Sequence, residues 1–138
     1  MMIWHCESFD FDDAGPATRP AGIAHHHLDG DDLSPSPSIV AFACIERGDS
    51  QSAAENAAQE LVRYADFVGK KSRIVVVPFG HLSAELACPQ DALGVLQSIK
   101  SRLGSHGHDA HLAPFGSDKR LRMTTYAHPG AVAYRLVA

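Results

Sequence analysis

The chain is short of the features that would make it a stapled, metal-bound or membrane-spanning protein. It holds three cysteines, Cys6, Cys44 and Cys88, an odd number with no C-x-x-C pair. That excludes a disulfide framework and predicts reduced thiols. No apolar run approaches the roughly 18 residues that cross a bilayer, and MMIWHCESFD lacks the basic region and long apolar core of a secretory leader. The expectation is a cytoplasmic protein with no membrane partner. Histidines are plentiful at nine, yet there is no H-x-x-x-H and no Cys/His set at zinc spacing. His25, His26 and His27 are adjacent, so they point apart in a strand or turn. No metal and no cofactor are expected.

At 138 residues and 45% hydrophobic, the chain fits one domain, 1–138, with material for a core. The formal charge of −4 hides a split. Residues 1–69 hold 3 of the 12 Lys/Arg and 12 of the 16 Asp/Glu, a net −9, whereas residues 70–138 carry +5. A basic face beside an acidic one is compatible with an anionic ligand arriving from one side, and equally with ordinary surface solubility.

MIWHC, Met2 to Cys6, reads as an opening strand, and the Asp-, Gly- and Pro-rich stretch 9–37 reads as a loop. SIVAFACIE, Ser38 to Glu46, restores strand character. Ser52 and Glu55 form an S-x-x-E capping pair before a helix whose Ala54, Ala57, Ala58, Leu61, Ala65 and Val68 recur at helical spacing until Gly69. Ile74 to Val77 are four consecutive β-branched residues, the signature of a strand covered on both faces, and Pro78 ends it. Pro89 suits a first helical turn, and Leu93, Leu96, Ile99 and Leu103 mark a second helix that Gly107 can end. Residues 108–137 supply two or three further strands broken at Pro-Phe-Gly and His-Pro-Gly. The predicted fold class is a single α/β domain, a mixed β-sheet with two main helices packed on one face.

The segment IVVVPFGHLSAELACP runs a buried strand straight into a turn bearing His81. Gly80 reads as a residue that lets the backbone approach something closely, and the carboxyl edge of a central strand is where open α/β sheets assemble sites. A second turn, APFGSDK, places Lys119 three residues after Gly116. Next, Arg120-Leu121-Arg122-Met123 alternates so that both arginines share one strand face, facing an RNA backbone or water. Ser83 has no base assured beside it and reads as a helical cap rather than a nucleophile.

In these two Pro-Phe-Gly turns, with AFACIER before them and His128-Pro129 after, the chain resembles the N-terminal editing domain of archaeal-type threonyl-tRNA synthetases. That fold is shared with D-aminoacyl-tRNA deacylases. The resemblance covers about residues 38–130 and implies hydrolysis of the ester joining a wrong amino acid to the terminal ribose of a tRNA, serine on threonine tRNA above all. It implies His81 in the amino-acid pocket and Lys119 near the terminal ribose-phosphate or the developing charge. Pro78, Phe79 and Gly80, with Cys44, Ile45 and Glu46 on the neighbouring strand, are implied as pocket walls, as are Phe115, Gly116 and Asp118. Arg120 and Arg122 are the implied RNA contacts. A homodimer and an association with a threonyl-tRNA synthetase follow from the same likeness.

The chain departs from the family in Ser117-Asp118, where aromatics commonly precede the lysine, and in Gly130-Ala131-Val132, where an acid commonly follows His-Pro. Rival readings are a D-aminoacyl-tRNA deacylase, a non-catalytic tRNA-binding or dimerisation module of the same fold, and a cysteine hydrolase using Cys6, Cys44 or Cys88.

Overall fold

The computed structural model describes residues 1–17, 33–69 and 72–138. Its elements are β1 (Met2–Pro16), β2 (Leu33–Ala43), α1 (Gln51–Val68), β3 (Arg73–Pro78), α2 (Pro89–Ser105), β4 (Ala110–Leu112), β5 (Ser117–Thr125) and β6 (Val132–Tyr134). They build one six-stranded mixed sheet in the order β4-β3-β2-β1-β5, with β6 paired to the first residues of β1. β2, β3 and β4 are parallel because a helix connects each to the next, and a parallel pair requires such a crossover. β1 pairs antiparallel with β2, β5 and β6.

The side-chain period of two divides the interior into two layers. Ile39, Ala41, Ala43, Ile74, Val76 and Leu112 face both helices and pack with Ala54, Ala58, Leu61, Leu96, Ile99 and Leu103. Val40, Phe42, Val75 and Val77 face the other way and pack with Cys6, Phe9 and Phe11 of β1. The strands are therefore buried on both sides, as their unbroken β-branched runs predict, and both helices lie on one face.

Helix termini follow the sequence at three of four ends. Pro89 opens α2, Gly69 (φ 62°) closes α1, and Gly107 (φ 84°) follows the end of α2. The fourth end differs. α1 begins one residue before Ser52, with Ser50 at the N-cap, and neither Ser50 nor a capping box supplies a side-chain cap. Glu55 turns instead to Arg102 of α2 and accepts from Gln59 (3.0 Å), so a contact between the helices outcompetes the local motif.

The largest correction is the stretch expected to be a loop. Residues 9–16 continue β1 and residues 33–37 begin β2. The alternation Phe9, Asp10, Phe11, Asp12 carries a strand's period beneath an acidic composition. The acids are tolerated because Asp10 and Asp12 stand opposite Arg122 and Arg120 of β5. Pro35 and Pro37 are tolerated because β3 joins β2 only from Ser38 onward, so the prolines lose no ladder bond on that side. Arg73 anchors this edge: its Nη2 donates to the carbonyls of Phe9 and Ser34 (both 2.7 Å) and its Nε to Ser38 Oγ (2.8 Å). The His25–His27 cluster lies outside the described residues.

One irregularity in β1 matters for everything after it. Opposite β5 the register steps from Cys6↔Thr125 to Ser8↔Thr124, so β1 carries one extra residue there, beside exposed Glu7. Before this bulge the even residues Met2, Trp4 and Cys6 face the second layer; after it the odd residues Phe9 and Phe11 do. At the other end of the chain three strands form rather than two. The last, β6, is a short edge strand with Val132 and Tyr134 exposed, as is Leu136 beyond it.

Candidate active site

The two Pro-Phe-Gly turns meet. Parallel β3 and β4 bring Pro78 and Ala113 to the same edge of the sheet, where the Ala113 amide donates to the Val76 carbonyl (2.9 Å). The far end of β1 arrives there too, and the Ala17 amide donates to the Gly116 carbonyl (2.8 Å). Between these segments lies a cavity of about 330 Å³, a size suited to a small ligand. Pro78, Phe79, Gly80 and His81 form one wall, Phe115, Gly116, Asp118 and Lys119 another, and Ile45 belongs to the floor.

The first turn is held by backbone. The Phe79 amide donates to the Ala43 carbonyl (3.0 Å), the Ala87 amide to Ile45 (3.0 Å) and the Arg47 amide to Glu85 (2.8 Å), with an antiparallel bridge between Glu46 and Leu86. The loop from Phe79 to Ala87 is thereby fastened to the chain leaving β2. His81 projects from it, exposed, with its ring edge-on to Phe79 at 5.1 Å. At Gly80 a Cβ would meet only Leu86 Cδ1 at 3.6 Å, ordinary contact, so the protein's own packing there leaves room for a side chain.

In the second turn Gly116 does require its residue type, with φ at 74°. Lys119 is partly buried, and its Nζ donates to the Ser117 carbonyl (3.0 Å). Burial pushes its pKa below the ordinary lysine value, while Asp13, directly opposite on β1, and Asp118 pull it upward.

Not every expected residue reaches this cavity. Cys44 and Glu46 line a separate cleft of about 40 Å³ beside Met1 and Arg135. Arg120 is exposed, whereas Arg122 is bound by two carboxylates: Nε donates to Asp10 Oδ2 (2.7 Å), and Nη1 and Nη2 donate to Asp12 (3.0 Å each). That engagement holds the Asp12 carboxyl below its usual range and strengthens the guanidinium's hold on its proton. Of the thiols, Cys6 is fully buried and burial pushes it up to about 11, a resting thiol rather than a nucleophile. Cys44 is partly buried and Cys88 is exposed; all three are free.

Sequence reasoning passed over Ala17, Ala43, Leu86, Ala87 and the α2 residues Ala92 and Leu96, all on the cavity lining. Leu86 and Ala87 sat within the quoted motif as apolar residues in a turn, a signal available to be used. Ala17 belongs to a segment with no periodicity and no motif.

Fold and site together define a class: a single mixed α/β domain with a small-ligand cavity at the carboxyl edge of its parallel strands, walled by two repeated turns. The family model describing an archaea-specific editing domain of threonyl-tRNA synthetase matches residues 1–137, and the chain belongs to that family. It is similar to the threonine–tRNA ligase of Thermofilum pendens, 35% identical over 131 residues, covering 93% of this chain and 21% of that protein. The ligase of Cenarchaeum symbiosum is 29% identical over 133 residues (96% and 20%), and that of Pyrococcus furiosus 36% over 102 (72% and 16%). The chain thus spans about a fifth or less of the length of these relatives. Among the described residues no helix is long and apolar enough to cross a membrane.

Proposed function

We propose that residues 1–138 form one aminoacyl-tRNA deacylase domain that removes serine mischarged onto threonine tRNA. The observation that carries this reading is the convergence of the PFGH and PFGSDK turns on one cavity, in a chain of the threonyl-tRNA synthetase editing family. The aminoacyl ester is already activated, so the site has only to place a water against its carbonyl and stabilise the resulting oxyanion with fixed donors. Water oxygen bonds to the carbonyl carbon, the bond from that carbon to the ribose oxygen breaks, and the proton released by water ends on the ribose. His81, on the rim, orients the amino acid or the water. Lys119 holds the anionic end of the tRNA or the developing charge. No step calls for a metal or a cofactor.

Arg120, exposed on β5, offers a positive charge to the tRNA backbone. Arg122 contributes less, because Asp10 and Asp12 already compensate its charge. The domain works in the cytoplasm as a homodimer, alone or beside a threonyl-tRNA synthetase.

The test is deacylation of seryl- and threonyl-tRNA for threonine, with a D-aminoacyl-tRNA alongside. Seryl-tRNA should be hydrolysed and threonyl-tRNA spared, because a tight pocket rejects an added methyl by clash more strongly than it rewards one. Equal rates on the two esters would sink the serine assignment, and preference for the D-ester would transfer the activity to the D-aminoacyl class. Chelator should change nothing.

A further inference from the structure

The cavity carries both signs of charge, and only one of them has a place in the chemistry above. Its titratable lining residues are His81, Asp118 and Lys119, so Asp118 is the one carboxylate there among the described residues. It is exposed at the rim, and no hydrogen bond or ion pair to another described side chain engages it. Lys119 does not neutralise it by contact, because its Nζ is turned to the Ser117 carbonyl (3.0 Å).

A substrate that is only anionic would be repelled by such a carboxylate at the mouth of the site. An aminoacyl ester is not only anionic. It carries an α-ammonium two bonds from the scissile carbonyl, which must enter a cavity that already holds a lysine cation and is walled in part by Ile45, Phe79, Leu86 and Phe115. Unassisted, that ammonium loses water and meets Lys119.

We propose that Asp118 is a specificity-determining residue that receives the α-ammonium of the amino acid, making the cavity selective for esters with a free amine. This rests on the editing reading above and names which part of the substrate one side chain takes. Lys119 and Asp118, successive residues on β5, then divide the ligand: the cation attends the ribose-phosphate or oxyanion end, the carboxylate the ammonium end. The assignment also gives a reason for an acid immediately before the lysine.

The experiment measures calorimetric binding to the full chain of two non-hydrolysable ligands: the serine amide of 3′-amino-3′-deoxyadenosine, and its analogue with hydrogen in place of the α-amine. Wild type should bind the amine-bearing ligand about two- to fivefold tighter, the range of an exposed ion pair. Asp118→Asn, an exposed and nearly isosteric change, should erase that preference while leaving affinity for the amine-free analogue unchanged, and Asp118→Glu should restore part of it. Equal binding of both ligands by wild type, or an equal loss on both in Asp118→Asn, overturns the assignment and leaves the editing reading intact. Binding of neither ligand by wild type overturns the editing reading and the assignment with it.

Discussion

Two turns in this chain share the tripeptide Pro-Phe-Gly and do different work. Pro78-Phe79-Gly80 is held by pairing with the chain leaving β2, and its glycine sits without positive φ and with room for a methyl group. Pro114-Phe115-Gly116 joins β4 to β5 through a glycine at φ 74° and is held by the Ala17 amide from β1. The first presents an exposed histidine, the second a half-buried lysine. Identical triplets therefore say where the chain turns. What each turn is for is decided by its hydrogen-bonding partner and by the residue that follows.

The sharpest way to separate the turns is to remove what each presents. His81→Ala should lower the single-turnover deacylation rate on the order of 100-fold at saturating protein while leaving tRNA affinity and its salt dependence nearly unchanged. Lys119→Ala should do the reverse, weakening capture and reducing the salt slope by about one counterion. If both variants show the same defect, the division of labour between the turns is wrong.

Backbone comes next. Gly116→Ala forces a side chain into the left-handed region and should cost about 1–2 kcal/mol in urea unfolding. Gly80→Ala should fall within about 0.5 kcal/mol of wild type, since it meets one leucine methyl at contact distance. Equal costs at the two glycines would erase the contrast drawn from their φ angles.

The smallest effect is a titration. The folded-state pKa of Lys119 lies below its unfolded value, chiefly through burial. At neutral pH both states hold the proton and the cost of burying the charge is fully present. As pH rises through the folded pKa toward 10.5, the folded state loses its proton first, so stability gains. Solvent screening at this half-open site keeps that gain under about 1 kcal/mol. Lys119→Met should be more stable than wild type at pH 8, and the gap should narrow by pH 10; a gap that widens would mean Lys119 is held charged by its carboxylate neighbours rather than penalised by burial.

How legible was this in the sequence? Period and punctuation were visible wherever one force dominated. Ile74–Val77 could only be a doubly covered strand, and the α1 alanines could only face a core. The site was half legible, because both turns announced themselves but their meeting depends on β1 returning to the carboxyl edge of the sheet, which no local pattern reveals. Phe9–Pro16 was misread because its acids are balanced by arginines more than 100 residues away. The capping pair failed for the same reason, since Glu55 is claimed by Arg102.

The extra residue near Glu7 gives β1 a phase as well as a direction. Substituting exposed Glu7 changes one side chain; deleting it acts on the strand as a frameshift acts on a message. Every position from Ser8 onward would change faces, turning Phe9 and Phe11 out to solvent and driving Asp10 and Asp12 against Val40 and Val75, while the partners of Arg122 vanished from its side of the ladder. Such a segment tolerates drift in composition far better than any change in length, and aligned chains should keep its spacing even where they keep few of its letters.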